Sequence, residues 1–296
     1  MAQDPVGYWR LGESSGPTAT NLGSSGVDGT YDGPILGTAG IPASGGDTAA
    51  DFDGIDDNVN LGTLDVSGTG LTMSGWINAD DFDSTDARII SKSAVGNAEQ
   101  DHWWMLSTQS SGDDIVLRMR VKAGGTTDTL VASSGVLNAG QWHFAAATYD
   151  AATGQMKIYL DGVEVGSRTH AVGGAVDTDP TKTVMIGANP NNYGHFDGRI
   201  DEVAVYDQAL NESQIQAMYH SGTGGYLTTE DVTVNITAAN GVLANDSDVE
   251  NDSLTAELVT GPDNAASFTL NADGSFDYTP TANFNGTDSF VYRTFD

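Results

Sequence analysis

Apolar residues alternate with polar ones over short runs along most of this chain, and clusters of Gly, Ser, Asn and Asp break the runs about every ten positions. That rhythm predicts an all-β protein of many short strands with almost no helix. The plainest hairpin is MKIYLDGVEV, Met156 to Val165. Ile158 and Leu160 alternate before Asp161-Gly162, Val163 and Val165 follow, and an Asp-Gly pair favours the type I′ turn whose twist matches its flanking strands. Just upstream, in QWHFAAATYD (Gln141 to Asp150), Trp142, Phe144, Ala146 and Thr148 share one face. A turn from Asp150 to Gly154 joins this strand to the hairpin, giving a three-stranded meander. In GRIDEVAVYDQALNESQ (Gly198 to Gln214), Ile200, Val203 and Val205 predict a strand that gives way to a helix start. Asn211 is the expected cap, Gln214 completes a capping box, Leu210 can staple onto Ile215, and the helix should reach His220 with Gly222 as its stop.

Composition adds a compartment and excludes some partners. At 296 residues there is room for two domains. The formal charge is −30, from 41 acidic and 11 basic residues. Nucleic acid is excluded as a partner, because neutralising phosphates needs Lys and Arg clusters. A surplus of loop Asp and Asn suits divalent cations instead. There are no cysteines, so disulfides and thiolate sites are out of reach. No apolar run approaches the roughly 18 residues of a membrane span. Met1 leads straight into AQDPVGYW without a signal peptide, and the chain is expected to be a piece of a larger secreted or cell-surface protein.

The Gly198 to Tyr206 stretch, followed by its short helix, resembles the closing signature of laminin G-like jelly rolls, the concanavalin A-like lectin sandwiches that include pentraxins. YWRLGESSG (Tyr8 to Gly16), FDGIDDNVNL (Phe52 to Leu61), LTMSGWI (Leu71 to Ile77), QWHFAAATYD and MKIYLDGVEV resemble that family's strands in order. The resemblance implies a two-sheet jelly-roll sandwich over residues 1–222. From there GTGG (Gly222 to Gly225) reads as a flexible joint. The phrases NGVLANDSD, LNADGSFDYTP and FNGTDSFVYR resemble a cadherin-like tandem repeat of bacterial surface adhesins, which implies a smaller immunoglobulin-type sandwich over residues 223–296. Its strands are expected at Ser267 to Leu270, Ser275 to Tyr278 and Ser289 to Tyr292, with a turn at Asn271 to Gly274. In such repeats one further strand follows a phrase like FVYRTFD, so this domain is expected to lack its last strand.

Candidate chemistry centres on calcium (Ca2+), which takes six to eight oxygens from carboxylates, amides, backbone and water. The jelly-roll resemblance implies a site at Asp201, with Glu13 and Asn21 supplied by the N-terminal segment. An Asp inside a strand between Ile200 and Val203 needs a partner if buried. A second cluster, Asp53, Asp56, Asp57 and Asn58, reads first as a turn and second as a ligand set. The pentraxin pattern of a Glu-Gln-Asp just before the closing strand is absent there, and that tripeptide stands instead at Glu99 to Asp101. In the C-terminal domain Asn245, Asp246, Asp248, Glu250 and Asp252 crowd one loop, but Ser253 replaces the glycine that an EF-hand spacing requires. Cadherin-like repeats are expected to use such loops for calcium that stiffens junctions.

Sugar recognition is the second candidate, since aromatic faces stack on sugar rings while amides and carboxylates fix hydroxyls. His102 and Trp103 in the Ala94 to Trp104 loop, with Asn191, Asn192, Tyr193 and His195 in the Ala188 to Gly198 loop, offer the right types. Strand alternation sends one of Trp103 and Trp104 inward, leaving at most one as a platform. No Glu-x-Asp-x-Glu strand, Gly-x-Ser-x-Gly elbow or His-rich zinc motif occurs. His143 and His170 read as packing or surface residues. The sequence therefore points to a non-catalytic, calcium-dependent lectin-like region of an adhesin that grips a glycan or glycoprotein on a surface and adjoins further repeats. A calcium-stiffened spacer and an accessory module of a polysaccharide-degrading enzyme are the alternatives.

Overall fold

The computed structural model describes residues 4–41, 47–84, 86–94, 102–190, 193–226, 228, 230–244, 246, 248 and 252–296. In chain order the first strands are β1 (Gly7–Trp9), β2 (Thr18–Ala19), β3 (Gly29–Asp32), β4 (Ile35–Ala39), β5 (Thr48–Asp53) and β6 (Asn58–Asn60). Longer ones follow: β7 (Gly70–Ala79), β8 (Arg88–Ser93), β9 (His102–Ser111), β10 (Asp114–Ala123) and β11 (Thr126–Val131). Then come β12 (His143–Asp150), β13 (Gln155–Leu160), β14 (Val163–Thr169), β15 (Thr183–Ile186), β16 (Asp197–Tyr206) and helix α1 (Glu212–Thr223).

These strands form two antiparallel sheets. One runs β14-β13-β12-β7-β16-β5-β4, with β1 also paired to β16, and the other runs β11-β10-β9-β8-β15-β6-β3-β2. The jelly-roll sandwich is therefore present, with Trp9, Phe52, Trp104, Tyr149, Met119 and Ile200 among the side chains buried in its core. Asp161 and Gly162 both have positive φ (52° and 80°), as a type I′ turn demands, and Leu160 pairs with Val163 across it.

The spacing of Ile200, Val203 and Val205 departs from strict alternation because β16 carries a bulge between Asp201 and Ala204, with Glu202 at φ 53°. The helix cap forms as read: the Gln214 N–H donates to Asn211 Oδ1 (3.0 Å) and the Asn211 N–H to Gln214 Oε1 (2.9 Å). Such a cap contributes about 1 kcal/mol. The helix end differs from expectation. Gly222 lies inside α1 and Gly224, at φ 70°, is the stop, while the Gly225 N–H reaches back to the His220 carbonyl (2.6 Å) in a Schellman closure. Residues Gly222 and Thr223 are thus helical rather than part of a joint. Ile215 is buried against Leu210, Trp76, Phe144 and Tyr159, so α1 covers part of the outer face of the first sheet.

By its contacts the chain divides into two compact units, the second starting at His220. That unit holds β17 (Val234–Ile236), β18 (Thr255–Thr260), β19 (Ala265–Leu270), β20 (Phe276–Pro280) and β21 (Val291–Phe295). They form a three-stranded sheet, β17-β20-β19, and a two-stranded one, β18-β21. Gly274, at φ 82°, closes the Asn271 turn. Among the described residues the apolar core of this unit is small, Val242, Ala256 and Phe276 being its buried cluster, backed by partly buried aromatics such as Phe268, Phe290 and Tyr292. Leu258, Val259, Val291 and Phe295 on β18 and β21 are exposed. Burying a large apolar side chain stabilises by about 1.5 to 3 kcal/mol, so a unit with so few buried ones is marginal. In hydrogen exchange on the whole chain, amides of β17 to β21 should lose protection before those of β7, β9 and β16. Equal protection of the two sets would contradict this reading.

Candidate functional site

Asp201 is fully buried on β16, opposite Trp76 of β7. Its Oδ2 accepts the Ile41 N–H (3.2 Å), and its Oδ1 has no hydrogen-bond partner. Asp47, Asp201 and Glu202 bring carboxylate oxygens within 4.8 Å of one another. Adjacent residues in a regular strand point to opposite faces, so Asp201 and Glu202 could not meet there; the bulge at Glu202 turns both to one side. Burial, then the charges of Glu202 and Asp47, push the Asp201 carboxyl up to about 8. Gly40 is required by this arrangement, since a Cβ on it would lie 2.7 Å from Asp201 Oδ2.

One cation answers these acids. Arg10 donates from Nη2 to Asp47 (2.5 Å) and from Nε to Glu202 (3.0 Å), and the Tyr8 hydroxyl donates to the other Glu202 oxygen. Negative charge stays in excess. Beside it opens a cavity of about 190 Å3 lined by Arg10, Gly12, Glu13, Thr20, Leu22 and Asp47. Hard oxygen donors, an excess of charge and a buried oxygen without a partner fit a divalent cation.

Glu13 and Asn21 have other roles in this structure. Glu13 accepts the Thr20 N–H (2.8 Å) and the Tyr31 hydroxyl (2.7 Å), which hold its carboxyl below its usual range although burial works the other way. Asn21 Oδ1 accepts the Tyr8 and Gly23 N–H groups (2.9 and 2.7 Å). Both brace the N-terminal segment near the triad. Asp47 and Glu202 are the members the sequence reading missed: Glu202 had a signal, its place next to Asp201, whereas Asp47 is linked only by tertiary contact.

Asp53, Asp56 and Asp57 also bring their carboxylates within 4.8 Å. Asp53 Oδ1 accepts the N–H groups of Ile55 (2.9 Å) and Asp56 (3.3 Å), and Asp57 Oδ2 accepts the Asp53 N–H (2.9 Å). The Asp53 and Asp57 carboxylates thus already serve the turn. In the second unit the Asp252 N–H donates to Asp248 Oδ2 (3.0 Å), and the Tyr292 hydroxyl lies 3.5 Å from Asp246. Asn245 and Glu250 fall outside the described residues.

The aromatic loop residues are placed differently from the sequence expectation. His102, Trp103 and Trp104 belong to β9 rather than a loop, and both tryptophans are buried. Trp103, 8% exposed, lies under the ammonium groups of Lys122 (4.5 Å) and Lys182 (5.6 Å), which cover the face that alternation turns outward. His102 sits between Arg120 Nη1 (3.3 Å at Nδ1) and Asn189 Oδ1 (3.1 Å at Nε2), and Arg88 also donates to Asn189 (3.2 Å). Burial, then the charges of Arg88 and Arg120, lower its imidazole to about 4. His195 is buried, with Nδ1 3.4 Å from the Asp57 carbonyl and no partner for Nε2. Tyr193 is 46% exposed, beneath Arg88 at 5.7 Å. Asn191, Asn192 and the Glu99 to Asp101 tripeptide lie outside the described residues. His143 and His170 are buried in hydrogen-bonded settings, the first against Asp161 (2.8 Å) and the second against the Val121 carbonyl (3.2 Å).

Residues 53–216 match the family model of the concanavalin A-like lectin/glucanases superfamily. The chain belongs to that superfamily. Residues 216–296 match a bacterial cadherin-like domain. Over 168 residues, 53% of this chain, it is 25% identical to adhesion G-protein coupled receptor V1 of Danio rerio, of which it spans only 3%. Among solved structures it is similar to domain 4 of AbnA, an extracellular arabinanase from Geobacillus stearothermophilus, at TM-score 0.51 and 20% identity, over 74% of this chain and 100% of that one. The binding domain of Paraclostridial Mosquitocidal Protein 1 aligns at TM-score 0.55 and 15% identity, over 79% and 58%. The likeness to these solved structures is one of fold alone. No described helix is long and apolar enough to cross a membrane.

Proposed function

We propose that this chain is a non-catalytic, calcium-dependent carbohydrate-binding region of a large bacterial surface adhesin, whose sandwich attaches to a glycan while the cadherin-like unit continues a stalk outside the cell. The observation that carries the calcium half is the fully buried Asp201, with one oxygen lacking a partner beside Asp47 and Glu202. Supporting the sugar half is membership of a superfamily that includes lectins. Asp53, Asp56 and Asp57, and the Asp246, Asp248 and Asp252 loop, are proposed as secondary cation sites. Among the described loop residues read as sugar contacts, Tyr193 is the exposed one.

A spacer that binds calcium but no glycan is the second reading, favoured by the burial of His102, Trp103 and His195. A glycan array probed with the whole chain in calcium, then in chelator, separates the two. Binding that needs calcium supports the lectin-like reading; silence in both conditions leaves the spacer.

A further inference from the structure

On the outer face of the first sheet, one row of side chains crosses four strands. Asn78 of β7 pairs with Arg199 of β16, Arg199 with Asp51 of β5, and Asp51 with Ile35 of β4. Trp142 immediately precedes His143, the residue that pairs with Ile77, so it flanks Asn78 on the other side. Asp80 and Asp197 share the same face two residues along their strands.

Strands two apart in a sheet are separated by roughly 10 Å. Arg199 and Trp142 nonetheless come within 5.4 Å, guanidinium carbon to ring centre, because both lean over the Asn78 between them. Asn78 is left 3% exposed, and its Oδ1 has no hydrogen-bond partner. Buried amide carbonyls in native proteins almost always have a donor. Trp142, Arg199 and Asp51, by contrast, are only partly buried. Burial first, then the charge of Asp80, raises the Asp51 carboxyl, with Arg199 opposing.

An indole face, a guanidinium donor, carboxylate acceptors and an amide carbonyl without a donor lie in one patch. A cation does not match it, since among the described residues the only carboxylate triads close enough for a metal are those at Asp201 and Asp53. A ring with one apolar face and several hydroxyls does. We infer that Trp142, Asn78, Arg199 and Asp51 form a sugar-binding subsite, in which a pyranose or furanose ring stacks on Trp142, one hydroxyl donates to Asn78 Oδ1 as the Trp142–Arg199 pair parts, and Asp51 and Arg199 hold its neighbours. This rests on the carbohydrate-binding reading above and names the face that does the binding. It lies two residues along β16 from Asp201, so a bound cation and the sugar would share one strand.

The test uses the whole chain in calcium on an array of arabinan, xylan, mannan, cellulose and sialylated oligosaccharides, followed by fluorescence titration of the best ligand. Trp142→Ala should weaken binding at least about tenfold, and Asn78→Ala and Asp51→Asn each severalfold, with circular dichroism unchanged. Should Trp142→Ala fail to fold, the partly buried Asp51→Asn and Arg199→Gln variants decide. Wild-type affinity in the folded variants would overturn the subsite while leaving carbohydrate binding intact. No binding by the wild type to any of these sugars would overturn the carbohydrate reading and the subsite with it.

Discussion

Adding calcium to the metal-free chain should raise the melting temperature of the jelly roll by roughly 5 to 10 °C. A ligand that binds only the folded state stabilises by RT ln(1 + [L]/Kd), about 2.7 kcal/mol at a hundredfold excess over Kd. In a domain of this size each kcal/mol moves the midpoint by about 2 to 4 °C. The ion would draw on Asp201, Asp47 and Glu202, whose oxygens already converge. Without it, the Asp201 charge is buried beside two others, which is why its carboxyl is pushed up. Asp201→Asn keeps an acceptor for the Ile41 N–H and removes that charge. The variant should melt no lower than the metal-free wild type and should lose most of its response to calcium. Calorimetry in which wild type is indifferent to calcium, or in which the variant responds equally, would sink the proposal.

The contribution of His102 to stability should be lost as pH drops from about 6.5 to about 4. Arg120 can only donate, so Nδ1 of the imidazole accepts from it and Nε2 carries the proton that goes to Asn189. A second proton would lose the Arg120 contact and place a cation among Arg88, Arg118 and Arg120. The folded value, about 4, lies below the unfolded value near 6.5. Above pH 6.5 both states are neutral and nothing changes. Between 6.5 and 4 the unfolded chain takes the proton first, so stability present at neutral pH is lost, on the order of 3 kcal/mol in all. Asp201, raised to about 8 in the metal-free chain, works the other way over this range, because the folded state takes its proton first. The difference between wild-type and His102→Gln denaturant midpoints should therefore change from pH 7 to pH 4, with the wild type losing ground as pH falls. An NMR titration placing His102 at its ordinary value would refute this.

Local pattern determined the strands, the Asp161-Gly162 turn and the Asn211 cap, because each depends on residues within a few positions of one another. The order of motifs likewise sufficed for the superfamily, and Asp201 could be singled out as an acid inside an apolar strand. What tertiary structure decided was which groups meet. Asp47 is 154 residues from Asp201 and reaches it only because β5 pairs with β16, and Glu202 joins them only because a bulge breaks the alternation that sequence reasoning assumes. Glu13 and Asn21, chosen by resemblance, are occupied by the backbone of their own segment. Trp103 is the tryptophan expected as a platform, yet Lys122 of the neighbouring β10 and Lys182, just before β15, lie over it. Trp142, passed over as one more residue on a strand face, gains its setting from Asn78 and Arg199, brought beside it by strand pairing alone. Period-two patterns state which face a side chain takes; register and bulges state who its neighbours are, and those are fixed by packing between distant strands.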